Sequence, residues 1–162
     1  MMPRHSTDIN LSEHEISVLQ RREQHGWFVN LITVDASGPG FAYSLGLYKE
    51  FGHPEIVVFG LAEETMHRLV NDVGEQVRRG VTYSAGDQTP DLLKGYICAF
   101  GIVNPLQYRE TCTWTVWFYE GDRFPALQLF WPDKQNRFPW EPDFDRQLQG
   151  RQPDLSQPPP SA

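Results

Sequence analysis

Hydrophobic residues along the chain occur in short runs separated by polar, glycine-rich stretches. Five of these runs are dense in β-branched and aromatic residues, which is typical of half-buried or fully buried strands. They cover residues 27–34, 41–47, 56–60, 96–103 and 126–131. The run 56–60 is almost continuously apolar, so we expect it to lie centrally in a sheet with both faces covered. The short connection between the first two runs favours an antiparallel pair.

Residues 63–79 have the clearest helical spacing in the chain. Their apolar positions fall on one stripe: Met66, Leu69, Val70, Val73 and Val77. Acidic residues in the first turn and arginines in the last complement the helix dipole, and Gly80 is a suitable C-terminal cap. Gly74 is a poor helix former, and we interpret it as a point of close packing against the sheet.

A second helix is predicted near the N-terminus. Ser12 and Glu15 have the spacing of a capping box, in which each side chain bonds the backbone amide of the other. The pattern predicts a helix of about three turns that ends near Gly26, with Ile16 facing inward.

The order of these elements predicts an α+β fold in a single domain. We expect a mostly antiparallel or mixed sheet of about five strands covered by about three helices. Residues 82–93 mix glycine, proline and polar residues and predict either a mobile loop or a short hairpin. The domain is expected to span residues 11–145, between a flexible N-terminus, 1–10, and a disordered proline-rich tail, 146–162.

Composition narrows the classes of function. The formal net charge of −7 argues against binding to nucleic acid or to an anionic membrane surface, since both need a basic face. No run of residues approaches the length of a membrane span, and we expect a cytoplasmic protein. Cys98 and Cys112 lack the spacing of a metal site or redox motif, and we interpret them as reduced core residues. Neither a metal nor another cofactor is predicted.

The first candidate for chemistry is the segment His53-Pro54-Glu55, which precedes the central strand. An imidazole titrates near neutral pH, and a carboxylate two residues away can orient it or act as a base. Tyr43 on the preceding strand is expected nearby. The alternative is structural, with His53 bonded to a backbone carbonyl and Tyr43 buried with its hydroxyl satisfied.

A second cluster follows the last predicted strand. Gln128 lies in an otherwise apolar run, so its amide must either brace a loop or face a ligand. A proline-rich loop that contains Asp133 separates Trp131 from Trp140. The rings of these two tryptophans could stack on a flat ligand. The alternative is a tryptophan-anchored loop packed on the core.

Three blocks in this order resemble the bacterial family of unknown function DUF4262. They are FAYSLGL at 41–47, HPEIVVFGL at 53–61, and LQLFWPD at 127–133 followed by FPWE. The resemblance implies a compact bacterial domain and supplies no reaction. Such proteins usually have a glycine in the turn before FPWE, where this chain has Gln135-Asn136. Asparagine tolerates a left-handed backbone, so we expect the turn to survive.

Residues 106–120 carry conflicting signals. Their threonines and aromatic rings favour a strand, whereas Asn104-Pro105 is a helix start and the apolar residues also fit helical spacing. With the family resemblance added, we predict a helix.

Two classes of function follow. The favoured one is a binding or accessory module for a small molecule or partner protein, using Tyr43, His53, Gln128, Trp131, Asp133 and Trp140. The alternative is an enzyme of unassigned reaction, with His53 and Glu55 as its acid and base groups. An enzyme should place His53, Tyr43 and Gln128 in one concave pocket.

Overall fold

The computed structural model describes residues 11–159, which contain six strands and five α-helices. The strands are β1 Phe28–Ile32, β2 Phe41–Leu45, β3 Glu55–Phe59, β4 Gln88–Leu93, β5 Tyr96–Ile102 and β6 Ala126–Phe130. The helices are α1 Glu13–His25, α2 Leu47–Phe51, α3 Glu63–Arg78, α4 Tyr108–Thr111 and α5 Thr113–Tyr119. Short 3-10 turns lie at Pro105–Gln107 and Arg146–Leu148.

The strands form one mixed sheet in the order β1-β2-β3-β6-β5-β4. Strands β1, β2 and β3 are an antiparallel meander, in which the pairing of β1 with β2 was predicted from their short connection. Strand β6 lies parallel to β3 and antiparallel to β5. Because α3 and the β4–β5 hairpin lie between β3 and β6 in the chain, the chain can return to run beside β3 in the same direction. The predicted α+β class is confirmed. The sixth strand arises because residues 88–93 pair with β5, which selects the hairpin from the two alternatives for this segment.

The sheet is covered on both faces. Helix α3 packs on one face with its predicted apolar stripe, all of whose residues are buried. Helices α1, α4 and α5 cover the other face, where Leu45, Val57 and Ala126 belong to the clusters beneath them. Strands β3 and β6 are buried along their whole length. The central position predicted for residues 56–60 is thereby confirmed.

Gly74 is a point of close packing, as predicted, and its neighbour is Trp27 at the start of β1. A Cβ atom at residue 74 would come within 2.4 Å of the Trp27 indole. The indole nitrogen also donates to the side chain of Asn71 at 2.9 Å. Glycine at this position therefore allows a tryptophan to lie directly on the helix backbone.

Helix α1 has the predicted capping box. The Ser12 amide donates to Glu15 at 2.7 Å, and the Glu15 amide donates to Ser12 Oγ at 3.1 Å. The helix ends at Gly26, which has the left-handed φ of 105°. Val18 is fully buried, but Ile16, which the pattern places inward, is 42% exposed.

The segment 106–120 is helical, as predicted, and is broken at Cys112 into α4 and α5. Strand β2 is shorter than its predicted run. The chain turns at Gly46, whose φ is 119°, and residues 47–51 form α2. Sequence analysis missed this helix because its first residues continue the apolar pattern of the strand.

The predicted disorder of the C-terminal tail is wrong for residues 146–159. Gln152 and Leu155 are buried, and the segment lies against the sheet. Its low hydrophobicity is offset by hydrogen bonds to buried polar side chains of β6, which the sequence pattern does not reveal. The predicted flexible N-terminus and residues 160–162 lie outside the described residues.

Cys98 and Cys112 are buried and unpaired, which agrees with the core role predicted for them. Burial raises the pKa of Cys98 to about 11 and raises that of Cys112 further. In residues 11–159, every helix is too short or too polar to cross a membrane.

Replacing Val73 with aspartate should prevent folding. The side chain of Val73 is fully buried in the α3 face of the core, so the substitution would bury an unpaired charge. Circular dichroism should show no cooperative thermal transition. His67→Asp on the exposed side of the same helix is the control, and it should melt close to wild type. A Val73→Asp protein with the wild-type melting temperature would contradict this packing.

Candidate functional site

The carboxylate of Glu55 lies at the centre of a buried hydrogen-bond network. Its side chain is 1% exposed and accepts five hydrogen bonds. Three come from the amides of residues 46, 47 and 48, at 3.0, 3.1 and 3.2 Å. Ser44 Oγ donates a fourth at 2.7 Å, and the hydroxyl of Tyr119 donates the fifth. Glu55 therefore caps the first turn of α2 and links this turn to α5 through the hydrogen bond from Tyr119.

This network leaves Glu55 no free lone pair directed at solvent. Tyr119 also accepts a hydrogen bond from the Lys49 amide at 3.0 Å. Burial, together with the nearby Glu55 carboxylate, raises the pKa of Tyr119, which keeps its hydroxyl protonated as a donor. The arrangement is that of a buried structural anion at a helix start.

His53 is engaged on both ring nitrogens. Nδ1 lies 2.8 Å from the Pro54 carbonyl, to which it donates, and Nε2 accepts from the Tyr83 amide at 3.0 Å. The side chain is 4% exposed. Burial lowers the pKa of His53 and favours the neutral imidazole. His53 therefore fastens the start of β3 to the loop before β4.

Tyr43, like His53, is buried and hydrogen-bonded to the backbone. It is 1% exposed, and its hydroxyl accepts a hydrogen bond from the Trp114 amide at the start of α5, at 3.1 Å. Burial raises the pKa of this phenol. The first candidate cluster thus consists of buried groups that hold the backbone, in line with the structural alternative.

The amide of Gln128 braces the C-terminal segment. This fully buried side chain donates to the Pro153 carbonyl at 2.6 Å and accepts from the Leu155 amide at 3.0 Å. One residue before Pro153, the side-chain amide of Gln152 makes the equivalent pair of bonds to the backbone of Trp131, at 3.0 and 2.9 Å. The two glutamines fasten residues 152–155 to β6 and its end.

Trp131 is itself a buried anchor. Its indole nitrogen donates to the Phe59 carbonyl at 2.7 Å, at the end of the neighbouring strand β3. The ring is 4% exposed and belongs to the core on the α3 face. It is not available to stack on a ligand.

Asp133 organises the loop that follows. Its carboxylate accepts from the amides of Gln135, Arg137 and Asp145 at 2.9, 3.0 and 3.1 Å, and from Arg137 Nε at 3.0 Å. Desolvation opposes the charged form, but these donors outweigh it and lower the pKa of Asp133. Asn136 adopts the left-handed φ of 60°, so the turn forms with asparagine, as expected.

Trp140 is the one predicted ligand-binding residue that is exposed, at 59% of its surface. One face of its ring stacks on Phe138, with centroids 4.8 Å apart and planes 11° apart. Phe130 meets it edge to face at 5.2 Å. The ring is therefore held in place while much of it faces solvent.

Trp140 forms one wall of a cleft of about 370 Å³ on the sheet face opposite α3. We call this the aromatic cleft; it is lined by Phe100, Gly101, Ile102, Phe130, Pro139, Trp140, Gln152, Asp154 and Ser156. Gly101 opens the floor, since a Cβ there would come within 2.9 Å of the Phe130 ring. The C-terminal segment forms the opposite wall, where Asp154 Oδ1 accepts from the amide and hydroxyl of Ser156 at 2.9 and 2.7 Å.

The structure separates the predicted site residues into two roles. Trp140 lines the aromatic cleft, while Gln128 and Asp133 support its two walls from below. His53, Tyr43 and Glu55 lie away from it. Gly101, Gln152 and Asp154 are not among the predicted site residues. The last two lie in the C-terminal segment, whose composition predicts disorder. A glycine within an apolar strand was the available signal for the first.

The described residues contain no group of three or more His, Cys, Asp or Glu side chains placed to hold a metal ion. The buried polar side chains described above bond backbone groups, and those of Glu55 and Asp133 also bond other side chains.

Residues 22–145 match the family model described as a domain of unknown function, DUF4262. The match spans more than half of the chain, and the protein belongs to this family. Comparison with curated proteins gives no match, and neither does comparison with solved structures.

Glu55→Gln should destabilise the fold. A glutamine amide would turn an NH₂ group toward donors that now share a carboxylate, leaving at least one buried donor unpaired. We expect the free energy of unfolding to fall by about 2 kcal/mol or more in urea titrations. Glu50→Gln is the control. Glu50 is an exposed partner of Arg22, and its replacement should cost less than about 1 kcal/mol. Equal losses in the two variants would contradict the role of Glu55.

The stability of the protein should depend on pH through His53. Its pKa is lowered in the folded state, so the unfolded state binds the proton first as pH falls. The stabilisation is fully present above the ordinary value of 6.5 and is lost as pH falls from there toward the lower folded pKa.

His53→Gln should show a shallower loss of stability over the same pH range, measured by urea unfolding at successive pH values. Parallel profiles for the variant and the wild type would show that His53 does not titrate in this way.

Proposed function

We propose that this protein is a binding module that takes a small molecule in the aromatic cleft. The observation that carries the proposal is Trp140, a large ring that is 59% exposed yet fixed by Phe138 and Phe130. A rigid, exposed aromatic ring beside a concavity is characteristic of a recognition site. The side chain loses its conformational entropy on folding, so little more is lost when the ligand binds. The volume of about 370 Å³ lies in the range of small-molecule pockets.

The lining indicates the chemistry of the ligand. Phe130, Pro139 and Trp140 offer apolar surface to a flat or aliphatic group. On the opposite wall, Asp154 Oδ1 accepts the hydrogen bonds of its turn, and no group within residues 11–159 donates to Asp154 Oδ2. A ligand with an apolar group and an amine or other cationic group fits this pair of walls, and the net charge of −7 also favours a cation.

The scaffold under the cleft supports the same proposal. Gln128 and Gln152 hold the wall formed by residues 152–156, and Asp133 holds the loop that leads to Trp140. These buried polar groups are satisfied without a ligand. The cleft is therefore preformed, which reduces the entropy lost on binding.

The enzyme alternative draws no support from this geometry. Both side chains are buried: His53 bonds backbone groups through both ring nitrogens, and Glu55 accepts from three backbone amides and two side-chain hydroxyls. Neither residue lines the aromatic cleft. No acid and base pair faces a common concavity there.

A thermal-shift screen with amine-bearing and quaternary-ammonium aromatic compounds tests the proposal. A compound at one hundred times its dissociation constant stabilises the folded state by about 2.7 kcal/mol, which gives a clear rise in melting temperature. Trp140→Ala should abolish the shift, and Asp154→Asn should reduce it for cationic compounds more than for neutral analogues.

Tyr48→Ala is the matched control, because Tyr48 is also a partly exposed aromatic residue, at 39%, and does not line the cleft. It should retain the shift. The proposal fails if no compound in the panel shifts the melting temperature, or if every shift survives in Trp140→Ala.

A further inference from the structure

We infer that the outer edge of β1 pairs with the same edge of a second copy of this chain, so that two sheets join across a two-fold axis. The sheet order places β1 and β4 at its two ends. Within residues 11–159, no strand pairs with the outer side of β1. This inference is independent of the ligand proposed above.

The two edges of the sheet differ in protection. Strand β4 contains Pro90, which lacks an amide donor, and the exposed Asp91 beside it. Proline and charge at an edge discourage pairing with another strand. Residues 27–34 contain neither a proline nor a charged residue. Strand β1 is thus the edge that is open to strand addition.

Three of the four exposed side chains at residues 31–34 are apolar, and the fourth is Thr33. Leu31 and Ile32 are 38% and 37% exposed, and Val34, just beyond the strand, is 73% exposed. An apolar edge with unpaired backbone groups is a template for another strand. The side chains and the backbone therefore favour the same kind of contact.

The edge is self-complementary in shape. Its first half, residues 27–31, lies in an open groove of about 610 Å³ between α1, which contributes Arg21 and His25, and α3, which contributes His67 and Asn71. Its second half, Ile32 to Val34, lies beyond this groove and is exposed. In an antiparallel pair of identical edges, the exposed half of each copy meets the groove of the other, as an isologous interface requires.

The charges at the two ends match in the same orientation. Arg21 lies over the Phe28 ring at 5.9 Å, beside the start of β1, and Asp35 follows its end. Antiparallel pairing centred near Asn30 brings the arginine of one copy toward the aspartate of the other at both ends of the interface. His25 lies within 3.9 Å of Glu75, so the complementarity rests on Arg21 and on Asp35, whose Oδ1 also accepts from the amide and hydroxyl of Ser37. A strand from an unrelated protein would lack this built-in match.

Sedimentation equilibrium of the full chain over a concentration series tests the inference. Wild type should reach twice the monomer mass. Leu31→Lys should raise the dissociation constant of the dimer at least about tenfold, because a lysine at an edge strand opposes pairing. Leu106→Lys is the control, since Leu106 is 68% exposed and lies far from β1 in the chain; its dimer should be unchanged.

A second variant and a second readout keep the test decisive. Val34→Lys replaces a side chain that is 73% exposed, so it should weaken the dimer without disturbing the core. Hydrogen exchange should show that amides of residues 28–34 become protected as concentration rises. A wild type that stays monomeric at every concentration overturns the inference, and so does a dimer that both lysine variants leave intact.

Discussion

A buried carboxylate is the constraint on which much of this structure depends. Glu55 begins the central strand β3 with its side chain turned inward, where an unpaired charge would cost several kcal/mol. The chain meets that cost by bringing five donors to it from β2, α2 and α5. Helix α2 starts where its amides reach the carboxylate, and α5 is held through Tyr119. A single ionised group thus sets where one helix begins and how another lies on the sheet.

The same physical rule explains most of the other buried polar residues. His53, Gln128, Gln152 and Asp133 each bind backbone groups of a segment distant in sequence or of a tight loop. Buried polar atoms must be paired, so these side chains define the path of the loops they contact. As a result, His53 and Gln128, both candidate site residues in the sequence, hold backbone segments in the fold. Gln128, Gln152 and Asp133 support the walls of the aromatic cleft, whereas His53 lies away from it.

The two surfaces proposed for recognition lie at different places on the sheet. The aromatic cleft lies over β5 and β6, on the face opposite α3, whereas the open edge belongs to β1 at the end of the order β1-β2-β3-β6-β5-β4. Strands β2 and β3 separate them. A dimer formed through β1 would therefore leave the aromatic cleft of each copy open. Ligand binding and self-association can then be measured separately on the same protein.

The sequence alone determined the elements whose signals are local. The stripe of α3 and the capping box of α1 are periodic or short-range, and the apolar run of β3 reports burial on both faces directly. Five runs of β-branched and aromatic residues predicted five of the six strands and, with the helical patterns, the α+β class. The proline-rich aromatic loop after the last run marked Trp140 as a candidate.

Only the tertiary structure decided the roles of the polar residues. Helix α2 depends on Glu55, eight residues beyond its first amide, and the ordered C-terminal segment depends on Gln128, more than twenty residues away. The polar composition of the C-terminal segment predicted disorder, because composition shows how little apolar surface a segment can bury but not which hydrogen-bond partners it has. The aromatic cleft likewise exists only where this segment faces the Trp140 loop across β5 and β6. Contacts between segments that are distant in sequence have no periodic signature, which is why the three-dimensional structure was needed to find them.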